Sequence, residues 1–251
     1  MNLSQLSVEQ GVFQLSSVSS PQENLYQKIR LKENRVYSDA EVKEFPETFF
    51  YNLHRQEWES RKRSQERLLK YLRKQGPKGS ILEIGCGMGW LIHSIARQLD
   101  VECWGVDRHQ ASLEQAARVL VHPKLKFGMG DPFKDLFPAE YFQTIILAAT
   151  IEYFPNLASL INRARHYVVS GGEIHILDSP IYQDREIEKA QQTKMDYLTQ
   201  LGIHTDEPLI HCHQRSDFQA FDYQYLYRPA SGMGKWFKGG TDPYPWIKII
   251  N

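Results

Sequence analysis

Between residues 80 and 177 the chain alternates short apolar runs with segments whose apolar positions recur at helical spacing. Residues 80–84 read as a strand, and Leu91, Ile92, Ile95 and Leu99 then mark a helix. Residues 101–106 form a second strand, followed by a helix carrying Leu113, Ala116, Ala117 and Leu120. Residues 124–128 and 142–148 are the third and fourth strands, and the stripe Leu157, Leu160, Ile161, Ala164, Val168 follows the fourth. Gly171-Gly172 introduces a fifth, residues 173–177. Strands that are apolar on both faces and alternate with helices predict a mostly parallel sheet covered on both sides, a doubly wound α/β domain.

The flanks are patterned differently. Residues 1–20 are polar, lack a sustained period and predict a flexible arm that orders only on contact. Residues 21–78 are rich in charges and aromatics and predict an N-terminal helical cap or lid. Its clearest element is a helix over residues 55–75, with Leu68, Leu69 and Leu72 as its apolar stripe and Gly76-Pro77 as its stop. The α/β domain takes residues 79–251. Within it, residues 183–201 read as a polar helix, and Phe221, Tyr223, Tyr225 and Tyr227 place four aromatics on one strand face. Residues 246–250 are a final strand.

Thirty basic residues balance 30 acidic ones, so no bulk field attracts nucleic acid or an anionic membrane. The basic cluster Arg61, Lys62, Arg63, Arg67, Lys70, Arg73, Lys74 is interspersed with Glu57, Glu59 and Glu66 and reads as a solvated helix face. The chain offers no apolar stretch long enough for a membrane span and no leader pattern, and a cytoplasmic location is the expectation. Cys86, Cys103 and Cys212 lie far apart, which fits reduced thiols and neither a disulfide framework nor a metal site.

The chemistry is concentrated after the first strand, in I-L-E-I-G-C-G-M-G-W-L at residues 81–91. Gly85, Gly87 and Gly89 occupy the strand-to-helix loop where doubly wound sheets bind ligands. A dinucleotide fingerprint needs G-x-G-x-x-G, and here Trp90 stands where the third glycine would fall. Glu83, before the first glycine, is unsuited to a pyrophosphate and suits orienting the loop or meeting a cation. Asp107 ends the second strand, where a carboxylate can accept from ribose hydroxyls, and Asp131 follows the third, where one can accept from an adenine amine. This pattern predicts a nucleoside with a cationic tail.

E-I-G-C-G-M-G, G-V-D at 105–107 and G-D-P-F at 130–133 together resemble the class I S-adenosylmethionine-dependent methyltransferases, of the small-molecule, methyltransferase type 11/12-like kind. The resemblance covers about residues 79–180. It implies a Rossmann-like, mostly parallel seven-stranded sheet with an antiparallel last strand. It implies S-adenosylmethionine as cofactor, with S-adenosylhomocysteine as product. Carried onto this chain, Glu83, Gly85, Gly87 and Gly89 would meet the methionine portion, Asp107 the ribose, and Asp131 with Pro132 the adenine, with Cys86 and Arg108 as further cofactor-binding candidates. Ala149 and Thr150 would lie beside the methyl donor.

Some small-molecule O-methyltransferases of this family carry a Glu-His pair after the fourth strand; here the chain reads Ile151-Glu152-Tyr153. The strand itself opens Phe142-Gln143, where Phe-Asp is common. Glu152 and Tyr153 are nonetheless the candidate catalytic residues, because they follow the cofactor strand directly. His175 falls inside the fifth strand and reads as a core residue. His211, Cys212 and His213 alternate faces and lack a fourth metal ligand. Tyr26, Tyr37, Phe49, Phe50 and Tyr51 are candidates for a lid or for plain packing, and residues 232–240, G-M-G-K-W-F-K-G-G, for a flap or a hairpin connection. The function expected is methyl transfer to a small-molecule or glycan- or lipid-type acceptor by a monomer or homodimer. A non-catalytic cofactor-binding or partner-binding module is the alternative, and a nicotinamide-dependent oxidoreductase a more distant one.

Overall fold

A computed structural model of the chain describes residues 6–18, 21–76, 79–205, 208–229 and 242–251. In chain order its elements are β1 (Val8–Glu9), β2 (Val12–Gln14), α1 (Pro21–Lys32), α2 (Asp39–Glu44), α3 (Arg55–Gln75), β3 (Ile81–Ile84), α4 (Trp90–Leu99), β4 (Cys103–Asp107), α5 (Gln110–Val119) and β5 (Leu125–Met129). There follow β6 (Phe142–Ala148), α6 (Leu157–Tyr167), β7 (Val168–Leu177), β8 (Ile181–Tyr182), α7 (Ile187–Gln200), β9 (His213–Gln214), β10 (Tyr223–Tyr227) and β11 (Trp246–Ile250).

The main sheet runs β1-β2-β5-β4-β3-β6-β7-β11-β10. Strands β2, β5, β4, β3, β6 and β7 pair in parallel, while β11 is antiparallel to both β7 and β10. The seven strands from β5 to β10 are therefore the expected sheet, with β11 as its reversed last strand. One apolar core lies on each face. Leu68, Leu72, Leu91, Ile95, Leu113 and Ala116 from α3, α4 and α5 fill one; Leu157, Leu160, Ile161 and Ala164 of α6 fill the other with Phe142, Ile145 and Phe218.

Three local expectations are corrected. Residues 6–18 are not a free arm: β1 and β2 form a hairpin closed by Gln10 (φ 49°) and Gly11 (φ 82°), and β2 pairs with β5. Two positive φ angles at the corner match the twist of a two-residue hairpin. Gly171-Gly172 does not start the fifth strand but lies inside β7, where the pairing with β6 slips between Phe142 and Thr144. Finally, a register shift between Tyr225 and Tyr227 turns Tyr227 to the opposite core from Tyr223 and Tyr225, so the four aromatics do not share a face. Residues 232–240 lie outside the described residues.

Helix α3 has the bounds expected of it and ends on Gly76 in the left-handed conformation. Its basic residues are not uniformly solvated. Lys70, Arg73 and Lys74 face water, but Arg61 bonds Glu57 at 2.8 Å and Arg63 and Arg67 both hold the buried carboxylate of Asp242. Ser60 Oγ donates to the same Asp242 at 3.0 Å. Trp58 stacks on Phe45 at 3.8 Å and meets Trp90 edge-on at 5.4 Å, which docks α3 and the end of α2 against the start of α4. Such contacts add about 0.5–1.5 kcal/mol each beyond their buried area. Among the described residues no helix is long and apolar enough to cross a membrane.

Candidate active site

Strand β3 delivers the chain to the glycine loop, and all three glycines hold positive φ: 75° at Gly85, 52° at Gly87 and 72° at Gly89. Only glycine takes this conformation freely. Their surroundings differ. A Cβ at Gly85 would overlap Thr150 Oγ1, and one at Gly89 would overlap the Phe127 ring, whereas a Cβ at Gly87 would stand in open space. Gly85 and Gly89 thus let protein pack on protein, whereas Gly87 borders open space. Gly85→Ala is accordingly expected to lower stability by about 2–4 kcal/mol, the sum of overpacking and left-handed strain, and Gly87→Ala by only about 1 kcal/mol. Urea unfolding checks the difference, and equal losses would contradict this division of roles.

The acids converge on this loop. Asp107, at the end of β4, accepts from Gly87 N at 2.7 Å through Oδ2 and from Arg108 N (2.7 Å) and His109 N (2.9 Å) through Oδ1. A carboxylate offers about four lone-pair positions, so one remains on Oδ2 for a hydroxyl donor. A second ribose hydroxyl would need Gly87 N–H to yield. Asp131 accepts from Arg108 Nη2 at 3.0 Å and from Phe133 N at 3.1 Å, and keeps capacity for an amine. Arg108 therefore positions Asp131, and its Nε is buried without a hydrogen-bond partner.

Glu83 is 2% exposed, and its Oε2 accepts from Ile92 N at 3.0 Å in the first turn of α4, whose N-cap, Gly89, has no side chain to offer. Of the two roles expected for it, orienting the loop is the one this bond performs. Burial holds its carboxyl well above the usual range, opposed by the Ile92 N–H and reinforced by Asp107. Cys86 points inward: its Sγ lies where a Cβ on Gly105 would go, and burial raises its thiol pKa well above the usual value. Pro132 is buried beside Asp131, and Ala149 sits at the end of β6 in left-handed backbone, φ 49°, with its N–H on Leu177 O at 2.9 Å. Thr150, 3% exposed, braces Gly85 from below.

Beyond the end of β6, Glu152 Oε2 accepts from Ser179 Oγ at 2.9 Å, and its backbone carbonyl accepts from His211 N at 2.7 Å. Burial raises the Glu152 pKa, with Ser179 and Arg61 opposing. Tyr153, 38% exposed, meets the Tyr26 ring edge-on at 5.4 Å, and Tyr26 in turn meets the His109 ring at 5.4 Å. Helix α1 thus spans from the β4 end to the β6 end. Ile29 packs with Leu198 and Ile203 to hold it there.

Several functional candidates escaped the sequence reading. Asp178 directly follows β7, much as Asp107 ends β4, is 8% exposed and has φ 58°. Burial raises its pKa to about 6, against the pull of Arg61 and a hydrogen bond from Ser64. The strand-end rule that found Asp107 would have found it. Arg61 was hidden in a basic run; Glu57, itself held by Arg35 and at a pKa of about 2 despite burial, pins it toward Asp178 and Glu152. Because the native pKa of Asp178 exceeds the unfolded 3.8, its contribution to stability is full below pH 3.8 and is lost as pH rises through 6. The loss is on the order of 3 kcal/mol. The difference between wild type and Asp178→Asn in unfolding free energy should therefore change across pH 4–7, and a flat difference would contradict the assignment.

His175 and His213 hold structural places. His175 is fully buried, with Nδ1 accepting from Trp246 Nε1 at 3.2 Å and Nε2 3.2 Å from Glu173. His213 is buried with Nε2 2.9 Å from Ile151 O. Among the described residues no group of His, Cys, Asp or Glu is arranged to hold a metal ion.

Comparison with known proteins agrees with this geometry. A family model described as "Methyltransferase domain" matches residues 53–233. Over 109 residues the chain is 27% identical to ajmaline N-methyltransferase of Rauvolfia serpentina, covering 42% of this chain and 37% of that protein. It is 28% identical over 109 residues to a probable non-canonical nonribosomal peptide synthetase, CymA, of Salinispora arenicola, covering 40% of this chain and 1% of that protein. The chain thus spans well under half the length of these relatives. Among solved structures, magnesium protoporphyrin IX methyltransferase of Synechocystis PCC 6803 with bound S-adenosylhomocysteine superposes with a TM-score of 0.59 at 12% identity, covering 91% of this chain and 99% of that one. The YcgJ protein of Bacillus subtilis gives 0.55 at 16% identity, covering 73% and 97%. At these identities the structural likeness establishes the fold. With the family model spanning well over half the chain, and the glycine loop and strand-end acids in place, this protein belongs to the methyltransferase domain family, of the class I S-adenosylmethionine-dependent type.

Proposed function

We propose that the chain transfers a methyl group from S-adenosylmethionine to a small-molecule acceptor bound between Glu152, Tyr153 and Asp178. The observation that carries this reading is the shared rim: the open space at Gly87 and the carboxylates of Asp107, Asp131, Asp178 and Glu152 all lie at the carboxyl ends of neighbouring parallel strands or just beyond them. The cofactor supplies an activated methyl group when bound. Asp107 and Asp131 hold its adenosyl part, the open space at Gly87 admits the methionine portion, and Ala149 lies beside the donor end.

The chain's own work is alignment, exclusion of water and removal of a proton. Alignment alone gives effective molarities on the order of 10⁵ M or more. Helix α1, a lid in this reading, covers the rim through Tyr26 and Tyr153. The Glu152 carboxylate, oriented by Ser179, takes the proton from the acceptor as the new bond forms. A small acceptor is supported by this coverage and by the match to ajmaline N-methyltransferase, whose name specifies a small molecule. The deciding experiment measures S-adenosylhomocysteine release across amine, hydroxyl and carboxylate acceptors, beside calorimetry with the cofactor. Tight cofactor binding with no turnover on any class would favour a non-catalytic module instead.

A further inference from the structure

Strand β2 is parallel to β5, so its carboxyl end emerges at the same rim as the ends of β4 and β5. The residues that follow continue along the β5 end. Leu15 N and Ser16 N both donate to Met129 O, at 2.9 and 3.4 Å, and Ser16 Oγ accepts from Asp131 N at 3.0 Å. Leu15 lies against Gly128, where any Cβ would collide with it, and close to Gly130, where a Cβ would overlap Leu136 and stand 3.2 Å from Leu15 Cβ. The N-terminal segment is thereby built into the wall beside Asp131.

An adenine edge presents one donor, the exocyclic amine, and one acceptor, ring N1. Asp131 can only accept when ionised. A matching donor must come from elsewhere, and the backbone of this loop has none to spare. Gly130 N bonds Asp107 O at 3.0 Å, Asp131 N bonds Ser16, Phe133 N bonds Asp131 Oδ1, and Lys134 N bonds Asp131 O at 2.9 Å. Pro132 has no N–H at all. Arg108 spends one Nη2 hydrogen on Asp131 and its Nε is enclosed by protein, so its remaining guanidinium hydrogens are the side-chain donors that compete with Ser16. The Ser16 hydroxyl is different: it accepts one bond, is half-buried, and keeps its own proton to give.

We propose that Ser16 is an adenine-recognition residue, its hydroxyl donating to ring N1 while Asp131 accepts from the exocyclic amine; this rests on the adenosyl cofactor binding at the rim. Leu15 then supplies the apolar wall beneath this pair. The N-terminal segment is part of the cofactor site rather than an appendage to it.

The test uses calorimetry on the full chain with S-adenosylhomocysteine and its 1-deaza analogue, in which ring N1 is replaced by C–H. Ser16→Ala should bind S-adenosylhomocysteine about five- to tenfold more weakly, in line with one net hydrogen bond. Ser16→Thr, which keeps a hydroxyl, should restore most of that, and Ser17→Ala, at an exposed neighbour, should change nothing. The decisive readout is coupling. Wild type should discriminate against the 1-deaza analogue, and Ser16→Ala should not. Unchanged affinity in Ser16→Ala, or discrimination that persists in it, overturns the role of Ser16 while leaving the cofactor reading in place. Failure of wild type to bind S-adenosylhomocysteine overturns the cofactor reading itself.

Discussion

Asp107→Ala is expected to weaken S-adenosylmethionine binding by about 100-fold, read by calorimetry. A hydrogen bond to an ionised carboxylate contributes about 1.5–3 kcal/mol, so losing one hydroxyl contact accounts for about 10- to 100-fold. The rest comes from the loop. Gly87, Arg108 and His109 each donate a backbone N–H to this side chain, so alanine leaves three donors without their acceptor and lets the glycine turn relax. The thermal midpoint of the ligand-free protein should fall as well. Asp107→Asn keeps an acceptor without the charge and should lie between wild type and alanine. If alanine lowered the midpoint but left affinity intact, Asp107 would be a loop brace and nothing more.

Glu152→Gln is expected to lower kcat by about 10²–10⁴-fold, the usual span for loss of a general base. Glutamine fills the same volume and still bonds Ser179, but it takes no proton. Cofactor affinity should stay within about twofold, because Glu152 lies beyond the strand that meets the donor. The pH profile separates this from mere packing. A base acts ionised, so the wild-type rate should rise with pH through a pKa that burial has lifted above the usual glutamate value, and that limb should vanish in the variant. An unchanged kcat would move the proton-accepting role elsewhere, and a fall in cofactor affinity alone would make Glu152 a site-wall residue.

The sheet was legible because each central strand is apolar on both faces, a pattern that burial in a parallel sheet imposes. The three best-marked candidate site residues, Gly87, Asp107 and Asp131, follow from strand ends and backbone approach, both of which are sequence-local. What escaped is non-local or too short to show a period. Strands β1 and β2 span so few residues that periodicity has nothing to work on, although Gln10-Gly11 between apolar residues was a turn signal. Tyr227 was misassigned because a bulge breaks the period-two rule without marking itself in the sequence. Arg61 looked like its exposed neighbours on α3, and only its partner Glu57, itself gripped by Arg35, distinguishes it. Thr150 was expected beside the methyl donor and not recognised as the reason Gly85 must be glycine.

The β1–β2 hairpin also bears on how the molecule behaves in crowded solution. Without it, β5 would be an outer strand with a row of unpaired N–H and C=O groups, a template on which another chain can add. With it, the outermost strand on that side among the described residues is Val8–Glu9, too short to support such growth and bearing a charge. Removing the first residues would therefore do more than trim a terminus: it would leave a sticky border open to edge-to-edge aggregation.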